Sequence, residues 1–387
     1  MTASKILDLE SVQLEKLQEL ILHTGPCVTL LLPPYRPGER GKPGAALLKS
    51  DIQEVKQRLV ERKIPDSVIT NLLEPLQQLV EDPEMSGGSH WGRVVYRSPD
   101  VLRQFAITGS EEPCVKVGGY FHIRPILTEL HLPPVFFLLR LSKRDVEVFR
   151  CAGLRAAPVQ LPRGIPATLE EALAFKQPDH DLENRSSAGP SSGSMHGVRF
   201  GTGSGKETQH AYLADFYKSV GRGLHELLGA SGAPVVLAGV DEDTALYRAI
   251  NRAPSLLAAT ISGSTTGPVE KTILAQAYSI VRSDCIDRAI RILRESKERL
   301  APTRYASDPH KILRAAVEGR IAHLYIDEAA RLSGIFEGTK RAGRWNWGEE
   351  DLLNVAAVET ILHSGKAFSI PAGRIPDGSA IAAELRF

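Results

Sequence analysis

Residues 233–240, Ala-Pro-Val-Val-Leu-Ala-Gly-Val, form a near-continuous apolar run that stops at Asp241-Glu242-Asp243. A strand with one wet face alternates apolar and polar residues; a strand apolar throughout must be covered on both faces. Such cover comes from helices on each side of a sheet, so the run restricts the fold to layered α/β architecture. The neighbouring patterns agree. Leu213, Phe216, Tyr217, Val220, Leu224, Leu227 and Leu228 share one face of a predicted helix, and another helix is predicted over 245–251. Residues 135–141 and 146–151 are apolar segments around Ser142-Lys143-Arg144-Asp145, a hairpin signal. Together, residues 134–268 read as hairpin, long loop, helix, buried strand and helix.

The stretches on either side have their own patterns. At the N-terminus, Val12, Leu17, Leu20 and Ile21 suit a short helix, and residues 27–32 a buried strand ended by Pro33-Pro34. Two more helices follow from Leu48, Ile52, Val55 and Leu59, and from Val68, Leu72, Leu76 and Leu79. Strands around 93–96 and 102–107 flank Ser98-Pro99-Asp100 as a second hairpin. This is an α+β unit, assigned to residues 1–131, with Pro133-Pro134 as linker. The third unit, 269–387, opens with a long helix over 269–300. Asp308-Pro309 starts the next helix, with Asp as the cap and Pro in the first turn. A strand at 321–326, a helix at 352–362 closed by Gly365, and strands at 368–370 and 380–385 make a small α/β sandwich.

A chain of 387 residues has room for two or three domains. Hydrophobic content of 42% and charge of 24% are ordinary for soluble proteins. A net charge of +1 gives no global attraction for nucleic acid, so any RNA contact must come from local patches. Cys27, Cys114, Cys151 and Cys285 are scattered without metal-ligand spacing and read as buried free thiols of a reducing compartment. No signal-like N-terminus and no membrane-length apolar run occurs. The expectation is a soluble, cytoplasmic protein without cofactor or metal.

Residues 185–206 contain six Gly and six Ser among 22 positions, and no Asp or Glu separates Arg185, Arg199 and Lys206. Such a composition buries too little apolar surface to offset ordering, so a mobile, weakly cationic loop is expected. Its Gly201–Lys206 end is no phosphate loop: Phe200 replaces the first glycine and Glu207 the magnesium-binding hydroxyl. Asp241, Glu242 and Asp243 stand where α/β active sites often lie and could hold a metal. The plainer reading is a solvated turn that caps the next helix. Tyr35 with Arg36, Arg40 and Lys42 forms a stiff basic-aromatic loop suited to base stacking and phosphate contact. Lys340, Arg341 and Arg344 beside Trp345 and Trp347 form another. No nucleophile–base–orienter set stands out, and no catalytic residue is assigned.

The succession of segments resembles the bacterial relatives of archaeo-eukaryotic class 1 release factors and Pelota, including the Balon-like ribosome hibernation factors. The residues that carry it are GPCVTLLLPPYRPGE at 25–39, GYFHIRPIL at 119–127 and FFLLRLSKRDVEVFRC at 136–151. It continues through the Gly/Ser loop, FYKSVGRGLHELLG and APVVLAGVDEDTALYRAIN at 233–251, to DPHKILRAAVEGRIAHLYID at 308–327. The resemblance implies a three-domain chain: an N-terminal domain, a ribonuclease-H-like middle domain and a C-terminal domain of the kink-turn-binding ribosomal-protein type. In release factors the middle loop carries Gly-Gly-Gln. Here the only Gly-Gly pairs are Gly87-Gly88 and Gly118-Gly119, neither before Gln nor in the loop. The Asn-Ile-Lys-Ser and Tyr-x-Cys stop-codon signatures are also missing.

With those signatures gone, the resemblance implies a tRNA-like body that fills the ribosomal A site without chemistry. Its partners would be ribosomal RNA, P-site tRNA and elongation factor Tu as the delivering GTPase, with no membrane. The residues expected to meet RNA are Tyr35, Arg36, Arg40, Lys42, His196, Arg199, Gly201, Gly203, Gly205, Lys206 and Gln209. Two alternatives stay open. One is a peptidyl-tRNA hydrolase or release and rescue factor that uses Gln209 or loop amides to orient water. The other is an RNA-binding module unrelated to the A site.

Overall fold

Helix α1 (Leu14–Leu22) and strand β1 (Cys27–Leu32) occupy the positions their apolar spacing requires. The computed structural model describes residues 12, 14–23, 25–35, 44–82, 85, 89–108, 113–174, 204–263, 269–299, 303–335 and 350–387. Two compact units are present: Met1–Leu132 with Val281–Phe387, and Pro133–Ile280.

In the first unit, α2 (Gly44–Glu61) and α3 (Asp66–Val80) precede β2 (Gly92–Arg97), β3 (Leu102–Ile107) and β4 (Cys114–Gly118). The strands form an antiparallel sheet in the order β3-β2-β1-β4. All six residues of β1 are buried, because both of its faces are covered. Val28, Leu30 and Leu32 meet Leu48, Val55, Leu59, Leu72 and Leu76 of the two helices. Each such fully buried side chain stabilises the fold by roughly 1.5–3 kcal/mol relative to exposure. Cys27 and Leu31, on the other face, join Leu17, Phe121 and residues of the C-terminal segment.

The second unit contains β5 (Phe136–Leu141), β6 (Val146–Ala152), β7 (Arg155–Val159) and α4 (Leu169–Ala174). It continues with α5 (Ser204–Leu228), β8 (Val235–Gly239), α6 (Asp241–Ile250) and β9 (Leu256–Ser262). The five strands lie in the order β7-β6-β5-β8-β9. The first three form an antiparallel meander, and β8 and β9 run parallel to β5. This is the ribonuclease-H-like strand arrangement implied by the resemblance. Every residue of β8 is buried, as its continuous apolar run requires. One face packs on Phe216, Tyr217, Val220 and Leu224 of α5.

Helix α7 (Lys271–Arg299) begins in the second unit and ends in the first. The C-terminal segment adds β10 (Tyr305–Ala306), α8 (Pro309–Val317), β11 (Ile321–Asp327), β12 (Ser333–Gly334) and β13 (Glu350–Asp351). It ends with α9 (Leu352–Leu362), β14 (Lys366–Ile370) and β15 (Ile381–Leu385). A mixed sheet in the order β10-β15-β11-β14 results, with β11 and β14 parallel. Helix α9 is buried around its whole circumference from Leu352 to Thr360, as an apolar-all-round helix between layers must be. Its end differs from expectation. Ser364, with φ of 60°, holds the left-handed position, and Gly365 is needed for close approach: a Cβ there would lie 2.7 Å from the Ile321 carbonyl oxygen.

All four cysteines are free; Cys27 and Cys151 are buried, whereas Cys114 and Cys285 are half-buried. Burial pushes the Cys151 thiol up to about 12, far from reactivity. Among the described residues, no helix is long and apolar enough to cross a membrane.

Candidate functional site

Parallel strands β5 and β8 bring the Ser142–Asp145 turn and the three acids to the carboxyl end of the middle of the sheet. The acids form the first turn of α6 itself, which starts at Asp241 rather than at residue 245. Val240 is the cap residue and contributes no side-chain bond, so the acids are not caps; negative charge in a first turn is favoured by the helix dipole. The three carboxylates diverge. Asp241 Oδ1 accepts from Ser262 Oγ at 2.7 Å, and Glu242 Oε2 meets Lys143 Nζ at 2.7 Å. Both partners of that ion pair are largely exposed, so it contributes little. Asp243 turns inward and is buried; that burial raises its carboxyl, while Lys143 and a bond from Tyr217 act in the opposite direction. The Tyr217 hydroxyl also donates to the Ser142 carbonyl at 3.1 Å. Among the described residues no group of three acids, histidines or cysteines is placed to hold a metal.

Helix α5 follows the Gly/Ser-rich segment in the chain. It begins at Ser204, so Gly205, Lys206 and Gln209 stand on the helix, whereas the sequence reading ends the loop at 206. Lys206, Glu207, Gln209 and Ala211 explain the earlier start: they are good helix formers behind a serine suited to a helix N-terminus. His196, Arg199, Gly201 and Gly203 lie outside the described residues. The helix is anchored through two glycines. A Cβ at Gly221 would fall 1.9 Å from Asn251 Oδ1, and one at Gly223 would fall 2.8 Å from Ile165 Cγ2. Asn251 Nδ2 donates to the carbonyls of Tyr217 and Tyr247 at 3.0 and 3.3 Å.

Tyr35 is half-buried and pairs with Ser89 as an isolated bridge, its N–H to the Ser89 carbonyl at 3.1 Å and the reverse at 2.7 Å. Tyr35 is therefore tied by its backbone to Ser89, three residues ahead of β2. Arg36, Arg40 and Lys42 lie outside the described residues, as do Lys340, Arg341, Arg344, Trp345 and Trp347.

One feature was not read from the sequence. A polar cavity of about 860 Å³ in the first unit is lined by Asp51, Lys116, His122, Arg124, Arg331 and Asp351, among others. Arg124 Nη1 meets Asp351 Oδ2 at 2.9 Å, and its Nη2 donates to the carbonyls of Asp327 and Ala330 at 2.8 and 3.1 Å. Burial alone would raise the Asp351 carboxyl, but Arg124 and then His122 hold it below the usual carboxylate range. Burial pushes the His122 imidazole down to about 3, against the pull of Asp351, so the ring is neutral. Asp351 Oδ1 caps α9 by accepting from Leu353 N and Asn354 N. Asn354 in turn bonds the backbone of Phe121 and Ile123. This network fastens residues 121–124 to α9 and is structural in character.

A model of the bacterial archaeo-eukaryotic release factor family 3 matches residues 135–320, just under half of the chain. Over the matched residues, which include the whole middle sheet, the chain is similar to the bacterial archaeo-eukaryotic release factor family 3. Solved structures resemble it at low identity. The archaeal translation termination factor aRF1 is 12% identical with a TM-score of 0.25, over 97% of this chain and 99% of its own. Pelota from Archaeoglobus fulgidus is 11% identical with a TM-score of 0.37, over 77% and 80%. Dom34 from S. cerevisiae, a translation termination-like factor that interacts with Hbs1, is 10% identical with a TM-score of 0.31, over 74% of each chain. Scores this low fix no arrangement of parts. No curated protein matches the chain.

Proposed function

We propose that this chain is a cytoplasmic ribosome-binding factor that occupies the A site of idle or stalled ribosomes without releasing peptide. The observation that carries this reading is the family match across 135–320. It spans the position of the release loop, yet no Gly-Gly-Gln stands there. In this reading the middle unit reaches toward the peptidyl transferase centre. The segment with His196, Arg199, Gly201 and Gly203, together with the first turns of α5 with Gly205, Lys206 and Gln209, meets ribosomal RNA or P-site tRNA. Tyr35, Arg36, Arg40 and Lys42 meet RNA near the decoding region. A GTPase of the elongation factor Tu type delivers the protein.

The test pairs two assays on the same ribosomes. The chain should co-sediment with ribosomes that carry peptidyl-tRNA and a stop codon, and the peptide should stay attached. Codon-dependent release near the rate of the host's own factors would replace this reading with that of a release factor. Absence from the ribosomal pellet would remove the ribosome from the account.

A further inference from the structure

The outer strand of a sheet invites pairing with another chain unless charge, proline or shortness blunts it. Most outer strands of the three larger sheets are blunted. β3 carries Arg103, β4 Lys116, β14 Lys366, and β7 both Arg155 and Pro158, while β10 has only two residues. Strand β9 differs. Its seven residues, Leu-Leu-Ala-Ala-Thr-Ile-Ser, include neither charge nor proline, and Ala258, Ala259 and Ser262 are exposed. β8 pairs with one side of it, and among the described residues no strand pairs with the other. The Gly263 N–H donates to the Gly239 carbonyl at 3.1 Å, so the backbone of Gly263 faces β8. Backbone groups alternate sides along a strand, which turns the N–H and C=O of Ser262 and Thr260 outward.

Charges at the two ends of β9 select what would pair with it. Asp241 Oδ1 accepts from Ser262 Oγ at 2.7 Å at one end, and Arg248 Nη2 donates to the Leu257 carbonyl at 2.7 Å at the other. Among the described residues neither side chain meets an opposite charge. A second copy, related by a two-fold axis through Thr260, lays β9 antiparallel to β9. Thr260 then faces Thr260 as a hydrogen-bonded pair, a favourable cross-strand match, and Ser262 faces Ala258. The same rotation carries Asp241 of each copy to the end where Arg248 of the other stands, so both charges gain partners.

We propose that β9 is a self-association edge, through which two copies of the chain join their five-stranded middle sheets, flanked by two Asp241–Arg248 ion pairs. The inference stands apart from the ribosome-binding role proposed above. The test is sedimentation velocity of the full chain over a concentration series. The wild type should show a monomer–dimer equilibrium. Thr260→Lys sets two like charges opposite each other on the edge and should weaken the dimer by at least ~10-fold, with unchanged circular dichroism. Asp241→Arg or Arg248→Asp alone places like charges at both ends and should also weaken it. The two changes together exchange the ends and should restore most of the affinity, a recovery that mere damage to α6 would not give. Under mild oxidation, Thr260→Cys should yield a disulfide-linked dimer, since a hydrogen-bonded antiparallel pair sets the Cα atoms about 5.5 Å apart. Arg155→Cys, on the opposite edge of the sheet, should not. A wild-type chain that stays monomeric up to ~100 µM would overturn the proposal and leave the edge to a strand of another protein. A dimer indifferent to Thr260→Lys, or a charge exchange that restores nothing, would overturn it equally.

Discussion

Arg124 reaches one carboxylate and three carbonyls from a single buried guanidinium. Removing it strands the Asp351 carboxylate in a poorly solvated place, the costly way to break a buried pair. Arg124→Ala should therefore destabilise the protein by about 3 kcal/mol or more in urea unfolding, against near-neutrality for an exposed arginine. The two titrating groups of the same cavity work in opposite directions. His122 titrates at about 3 folded and near 6.5 unfolded, so the unfolded chain holds more protons between those values. Stability from this residue is lost as pH falls through that window, and ring-proton NMR should show a neutral imidazole at about pH 5. A midpoint near the ordinary value would contradict its burial. Asp51 is raised to about 6 by burial and then by Glu54, so its contribution falls as pH rises from about 4 to 6. Asp51→Asn should add about 1 kcal/mol or more at neutral pH and nothing in acid. None of this was legible in the sequence. The Ile123–Asn354 bond joins residues 231 positions apart, and no local pattern announces a pairing across such a distance. Asp308 was legible because its partner, Lys311 N, is local.

At the scale of elements, apolar runs made β1, β5 and β8 legible, and hairpin turn signals made β2, β3 and β6 legible. β1, β5 and β8 are buried at every position, and their sequences show it. β4, β7 and β9 were not read. Each lies at a sheet edge, is covered on one face at most, and alternates weakly; β7 even carries Pro158, which edge strands tolerate. The α5 glycines make a test of packing against propensity. Gly→Ala inside a helix ordinarily gains about 1 kcal/mol, but at Gly221 the new methyl displaces Asn251 from two carbonyls. Gly221→Ala should thus lose about 1–2 kcal/mol net in urea unfolding. Adding Asn251→Ala should recover part of that loss, because it removes the clashing atom.

At the scale of the molecule, the layered α/β architecture and the middle sheet followed from one apolar run and one hairpin. The association of residues 1–132 with 281–387 in one unit did not, since it rests on Arg124, Asn354 and the all-round burial of α9. The likeness to release factor family 3 over 135–320 was legible from the order of segments, and the missing Gly-Gly-Gln is a plain sequence fact. The divergence of the acids at α6 was not, because spacing along a chain does not give the direction of side chains in the first turn.

The central claim is A-site occupancy without peptide release. It is tested most directly by a cryo-EM map of ribosomes from starved cells that express a tagged copy of the chain. The account predicts the chain in the A site, its middle unit toward the peptidyl transferase centre, and any peptidyl-tRNA in the P site intact. A tagged chain seated elsewhere on the ribosome, or an A-site chain always accompanied by deacylated P-site tRNA and peptide release in the matching assay, would contradict it.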